Sequence, residues 1–266
     1  MDRVLVAVVM GIVEGLTEFL PVSSTGHLIL AGQILSFTGE VAKSFEIFIQ
    51  LGAIAAVALL YRQKLWRIAL RWRVDRGAQS SLTVWHVALG MLPAVVVGLV
   101  AYRPIKQVLF SPTTVLVGLV AGGIWMLAAE RYRPVATILD ADSITYRQAF
   151  AIGCFQCLAL WPGFSRSGAT IAGALLIGIG LRAAADFSFM LAVPLMVAAS
   201  GLDLVKSAGL LHREDAGVFA VGFAVSFVVA WAAVVVFLRL LERLRLAPFA
   251  WYRFAAAGVF ALYFFV

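Results

Sequence analysis

Apolar residues in this chain do not alternate with polar ones; they run in long blocks. Six blocks, at 45–61, 82–102, 113–129, 187–204, 217–238 and 249–266, carry little charge. Each approaches the roughly 20 residues that cross a bilayer as a helix. Two further apolar regions are broken near the middle. Region 4–37 is interrupted at "LPVSSTGH" and region 148–181 at "WPGFSRSGAT", each leaving two apolar arms around a polar centre with Pro and Gly. The pattern predicts two re-entrant helix–loop–helix hairpins that enter and leave on the same side. Irregular backbone at that depth is tolerated only where protein or a watery cavity surrounds it.

The two broken regions read as copies. An offset of 142 places Ser23, Thr25 and Gly26 on Ser165, Ser167 and Gly168, and carries Ala42 and Phe45 onto Ala184 and Phe187. The order of elements repeats too, one hairpin and then three spans. Three crossings are an odd number, so the halves must have opposite orientations. The expectation is an all-α polytopic membrane protein with six transmembrane helices plus two re-entrant hairpins in an inverted-topology repeat. Residues 1–266 form one integral membrane domain, with 1–130 as the first repeat, 131–147 as a cytoplasmic connecting loop and 148–266 as the second. Such folds place their site near the midplane, where the broken helices meet.

Composition agrees with this reading. The 266 residues are 63% hydrophobic and 13% charged, with a mean hydropathy of +0.99, against about 25% charged residues in soluble domains. The first apolar run ends at Glu14 and Glu18 without a small-residue cleavage site, unlike a cleavable signal. The net charge of +7 calls for no nucleic acid, because basic loops in membrane proteins mainly report topology. Fourteen basic residues fall on the side opposite the N-terminus: Arg62, Lys64, Arg67, Arg71, Arg73, Arg76, Arg131, Arg133, Arg147, Arg182, Arg239, Arg243, Arg245 and Arg253. Six fall on the N-terminal side: Arg3, Lys43, Arg103, Lys106, Lys206 and Arg213. The positive-inside rule then puts both termini outside. Cys154 and Cys157 form a CxxC with no second Cys/His pair and read as small packing residues.

The chemistry gathers at the two breaks. Glu14 and Glu18 lie four apart and share a helix face; at membrane depth they must face a cavity, pair with cations or hold metal. Ser23, Ser24 and Thr25 follow Pro21 and suit a helix N-cap, but capping does not require His27. One turn on from Ser24, His27 adds an imidazole to hydroxyls and carboxylates, the parts of an activated nucleophile or of acid–base catalysis. In the second break Arg166 reads as the one arginine outside loops and span ends. Its guanidinium suits a phosphate or carboxylate, and a second role would be to neutralise Glu14 or Glu18. Ser165 and Ser167 flank it as hydroxyl donors, and a helix restarting there aims its amides at the same point.

Other polar residues read more simply. Glu46 and Gln50, one turn apart, are placed to line the same cavity, and Asp186 reads as a helix cap. Asp140 and Asp142 read as solvated loop residues. His86 reads as packed, His212 as a loop residue, and Trp251 and Tyr252 as interface anchors.

Together, "EGLTEFLPVSSTGH" and "GCFQCLALWPGFSRSGAT", with "TYRQAF" and "FAWYRF", closely resemble the bacterial undecaprenyl-pyrophosphate phosphatase family, also known for bacitracin resistance. The resemblance runs over essentially the whole chain. It implies an inner-membrane enzyme that converts undecaprenyl pyrophosphate to undecaprenyl phosphate and so recycles the carrier for peptidoglycan. It also implies six spans with two hairpins and a homodimer. By the same resemblance Glu14 and Glu18 match the acidic pair, Ser24 the proposed nucleophile, His27 the motif histidine and Arg166 the diphosphate-binding arginine. Ser23, Thr25, Ser165 and Ser167 would be supporting hydroxyls. A divalent cation, Mg²⁺ or Ca²⁺, would be held by Glu14 or Glu18. Attack by Ser24 and direct attack by water fit equally well. The rival class is a transporter or flippase for a polyprenyl phosphate or another anionic substrate, which would use Arg166 but needs no activated hydroxyl.

Overall fold

The computed structural model describes residues 2–71, 81–109, 111–207, 215–241 and 245–265. Arg73, Arg76, His212, Arg213 and Arg243, used in the sequence reading, lie outside the described residues. The described part is 82% helix without strands, and one isolated bridge joins Ile138 to Ile179.

The first broken region folds as α1 (Arg3–Thr17) and α2 (Ser24–Ile34). Asp2 starts α1 by accepting the Val4 amide at 3.0 Å. Next come α3 (Glu40–Leu60), a short α4 (Arg62–Leu70), α5 (Val84–Val100), a short α6 (Tyr102–Val108) and α7 (Pro112–Tyr132). The second broken region is α8 (Tyr146–Gln156), a 3₁₀ turn at Cys157–Leu160, and α9 (Arg166–Leu176). The chain continues through α10 (Leu181–Ser207), α11 (Ala216–Leu240) and α12 (Ala247–Phe265).

Four helices are long and apolar enough to cross a membrane: α3, α7, α10 over Leu181–Asp203, and α11. The shorter α5 is also apolar, and the 19-residue α12 carries Arg253 in its second turn. This is the make-up of a polytopic membrane protein. Each apolar block of the sequence coincides with one of these six helices, though α3 starts five residues and α10 six residues before its block. The added turn of α10 carries two charges, with Arg182 Nε paired to Asp186 Oδ1 at 3.3 Å. Asp186 is therefore no cap. It sits inside α10 and accepts from the Tyr61 hydroxyl at 2.5 Å. Cys154 and Cys157 are free thiols, and Cys154 is exposed rather than packed.

Packing crosses between the halves of the chain. Helix α1 lies along α11, and α8 lies along α5. At Gly15 a Cβ would sit 2.8 Å from Ser226 O and Ala230 N of α11, so only glycine lets these two backbones approach. Helix α10 packs on α3 and α9, while α7 packs on α9 and α12. Each broken region thus leans on a helix from the other half, which turns their two tips toward each other. Phe19 of the first tip meets Phe189 of α10 edge-on, ring centroids 5.3 Å apart.

Candidate functional site

Both tips end in a strained serine. Ser23, just before α2, has φ 73°, and Ser165, just before α9, has φ 76°. Non-glycine residues rarely take positive φ; holding one there costs about 1–3 kcal/mol, and such residues cluster at functional sites. The offset that relates the tips in sequence relates these two residues and also the first residues of the returning helices, Ser24 and Arg166.

The tips enclose a cavity of about 160 Å³. The first tip lines it with Glu18, Ser23, Ser24 and Thr25, and the second with Trp161, Pro162, Gly163, Ser165 and Arg166. Gln50 of α3 and Met196 of α10 close the side. Of the nine residues singled out in the sequence, Glu14, His27 and Ser167 are not on this lining.

Ser24 Oγ donates to Glu18 Oε2 at 2.5 Å. The other oxygen of Glu18 faces Arg166 Nη2 across the cavity at 3.6 Å. Arg166 donates through Nη1 to Ser188 O at 3.2 Å, and its guanidinium lies 5.5 Å over the Phe19 ring. Its Nε and Nη2 are buried without a hydrogen-bond acceptor. Buried N–H groups nearly always find an acceptor, so the two are unusual, and Nη2 has only the Glu18 carboxylate near it. Ser165 Oγ accepts the Gly168 amide at 3.2 Å and caps α9. Ser23 makes no such cap for α2. Ser167 Oγ donates to Leu20 O at 3.0 Å and ties the second tip to the first.

Glu14 is fully buried one turn behind Glu18, with neither carboxylate oxygen hydrogen-bonded. A carboxylate in that position is costly unless it is neutral or paired. His27 is held from two sides. Its Nδ1 lies 2.8 Å from Ser23 O and its Nε2 2.7 Å from the Tyr252 hydroxyl. A carbonyl only accepts, so Nδ1 carries the proton, and in the neutral ring Nε2 accepts from Tyr252. The ring stacks on Tyr252 at 5.6 Å and so faces α12. Tyr252, read as an interface anchor, has this second contact.

Gln50 Oε1 accepts from Ser200 Oγ at 3.0 Å. Glu46 does not line the cavity but an adjoining groove of about 350 Å³, which shares Thr25 with it. His86 caps α5, with Nδ1 accepting the Thr83 amide at 3.0 Å. Among the described residues no three His, Cys, Asp or Glu side chains gather as a metal cage.

The sequence reading missed Arg253. Its charge counts, by sequence, toward the cytoplasmic side at the end of the last apolar block, with Arg166 as the one arginine outside loops and span ends; the side chain is in fact fully buried. It donates to Pro21 O at 3.4 Å, Gly163 O at 2.6 Å and Phe164 O at 2.9 Å in the tips, and to Gly118 O at 3.1 Å and Leu119 O at 3.0 Å in α7. The carbonyl dipoles make the buried charge tolerable, which a count of loop charges cannot register. The legible signal was Gly118, Gly122 and Gly123 in α7, a small-residue stripe that admits a close neighbour. Without Arg253 the charge asymmetry keeps its sign.

These features define a polytopic membrane protein with a buried polar site built where two interrupted helix pairs meet. The chain belongs to the bacitracin resistance protein BacA family, whose model matches residues 7–259 and so takes in both tips. That is the undecaprenyl-pyrophosphate phosphatase family its motifs resemble.

Proposed function

We infer that the protein hydrolyses undecaprenyl pyrophosphate to undecaprenyl phosphate and inorganic phosphate, recycling the lipid carrier for peptidoglycan and giving bacitracin resistance. One observation carries this reading: a serine hydrogen-bonded to a carboxylate faces a guanidinium with unbonded donors across one small cavity. A carrier for the same lipid would use Arg166 but has no need of the Ser24–Glu18 bond.

Arg166, with Ser165, Ser23 and Thr25, binds the diphosphate and stabilises the charge that builds on the transferring phosphoryl group. Ser24 Oγ attacks the terminal phosphorus as Glu18 takes its proton. The bond from that phosphorus to the bridging oxygen breaks, and undecaprenyl phosphate leaves. Water then opens the phosphoserine and releases phosphate. In the variant route water attacks directly and Ser24 only binds. His27 is placed to set the first tip through Ser23 O, and its second nitrogen becomes free if Tyr252 turns away. Glu14 supports Glu18 from behind. Mg²⁺ can bind through one or two carboxylates plus phosphate oxygens and water; Glu18 on the lining, with Glu14 behind it, would hold such an ion, or Ca²⁺, to neutralise diphosphate charge.

The fold belongs to the same proposal. Six helices cross the inner membrane, two hairpins re-enter it, and the halves 1–130 and 148–266 form an inverted repeat joined by 131–147. Supporting this, α2 and α9 have 11 residues each, both follow a serine of positive φ, and each hairpin leans on the opposite half. Both termini and the cavity mouth face outward by the charge asymmetry, and the assembly is a homodimer with the polyprenyl tail left among membrane lipids. The test is phosphate release from a polyprenyl diphosphate by purified protein, with and without a chelator. Turnover is expected; none with any added divalent cation would move the assignment to the carrier.

A further inference from the structure

Arg253 stands apart from every other cation described. A guanidinium has five N–H donors, and here all five meet main-chain carbonyls in three separate segments. Among the described residues it pairs with no carboxylate, and it is absent from the cavity lining. Arg166 is the opposite case, with two donors left unbonded.

The carbonyls it takes are not arbitrary. Pro21 lies three residues before Ser24, and Gly163 lies three residues before Arg166; these are the same position in the two copies. One planar group therefore grips the matching carbonyl in both tips and fixes both to α7. The fit is tight from the α7 side. At Gly122 a Cβ would fall 2.2 Å from Arg253 Nη2 and 2.5 Å from Phe164 O, and at Gly163, with φ 91°, a Cβ would fall 2.2 Å from Val115 O. The tips also meet directly, through Ser167 Oγ donating to Leu20 O at 3.0 Å and the 3.6 Å approach of Glu18 to Arg166, but neither contact reaches α7.

We propose that Arg253 is a positioning residue: it locks the two tips at one separation and thereby sets the Ser24–Glu18 pair against Arg166. Its kinetic part rests on the phosphatase reading above; its structural part does not. A lysine keeps the charge but brings three donors from a single point, which cannot reach five carbonyls spread around a plane. Losing alignment without losing a substrate contact lowers kcat rather than raising KM.

The test compares wild type with Arg253→Lys and Arg253→Met in detergent or nanodiscs. It reads kcat and KM per folded molecule on a polyprenyl diphosphate, and amide hydrogen exchange at 18–25 and 161–168. For Arg253→Lys the expected kcat loss is about 100-fold, the scale of a 1 Å misplacement, with KM within about threefold. Exchange should quicken at both tips together. Wild-type kcat in Arg253→Lys overturns the proposal, as does a kcat loss with unchanged exchange at the tips. A loss that merely follows the folded fraction also overturns it. If neither variant folds, Gly122→Ala decides: its Cβ presses on the guanidinium and on Phe164 O of the second tip, so the deciding readouts are kcat and exchange at 18–25, in the first tip. If wild type shows no turnover, the phosphatase reading falls while exchange still decides the clamp.

Discussion

Ser24 and Glu18 share a hydrogen bond of 2.5 Å although a helix end, a turn and a helix start lie between them. The hydroxyl donates, so its oxygen lone pairs are free to face the cavity, and the carboxylate that holds it is the base nearest its proton. Ser24→Ala is expected to abolish phosphate release, and Glu18→Gln to lower kcat by about 10²–10⁴-fold, the usual worth of a positioned base. The double variant should cost little more than the worse single one, because the two groups act as a unit. Full activity in Ser24→Ala would reassign the attack to water.

Arg166 meets the same carboxylate from the other tip. Arg166→Ala is expected to lose at least about 10²–10³-fold in kcat, the scale measured when one donor to a developing charge is removed. Arg166→Lys should recover little, since one ammonium does not reproduce the fork. The Ala variant should stay folded, because Arg166 makes a single backbone bond, to Ser188. Normal turnover in it would remove the site from this cavity.

Tyr252→Phe takes away one hydroxyl and leaves the ring that stacks on His27. A loss of about 1 kcal/mol in stability is expected, with kcat within about tenfold of wild type. Thermal unfolding and steady-state rates check both. Complete inactivation would mean that the Tyr252 hydroxyl itself takes part in the reaction.

Orientation is checked by labelling. With Cys154 and Cys157 replaced by serine, a single cysteine added at either terminus should react with an impermeant reagent from outside intact cells. Labelling only after the inner membrane is opened would invert the topology.

The long helices were legible because each long block is apolar over most of its length, a signal that survives without tertiary knowledge. The tips were legible for the opposite reason: Glu, Ser, His and Arg clustered among apolar residues are costly unless they face a cavity, a partner or a ligand. Polar groups that serve packing were not legible. Arg253 reads as a span-end charge because its partners are carbonyls from Pro21 to Phe164, which no side-chain pattern displays. His27 looked like a neighbour of the serine hydroxyls; its ring plane is set by Tyr252, more than two hundred residues away. The turn that opens α10 was hidden because its charges Arg182 and Asp186 look like the end of a span, while their partners, Tyr61 for Asp186 and Leu238 O for Arg182, are distant in sequence.

The bridge from Glu18 to Arg166 spans the two halves of the chain, so neither half owns a site. A chain severed between Ala136 and Asp140 would leave one fragment with the Ser24–Glu18 pair and no Arg166, and another with Arg166 and no carboxylate to face it. Each fragment would also lack the helix its hairpin leans on, α11 for the first and α5 for the second. Two halves made separately would therefore have to find each other before either had a shape, and their union would be the only active species.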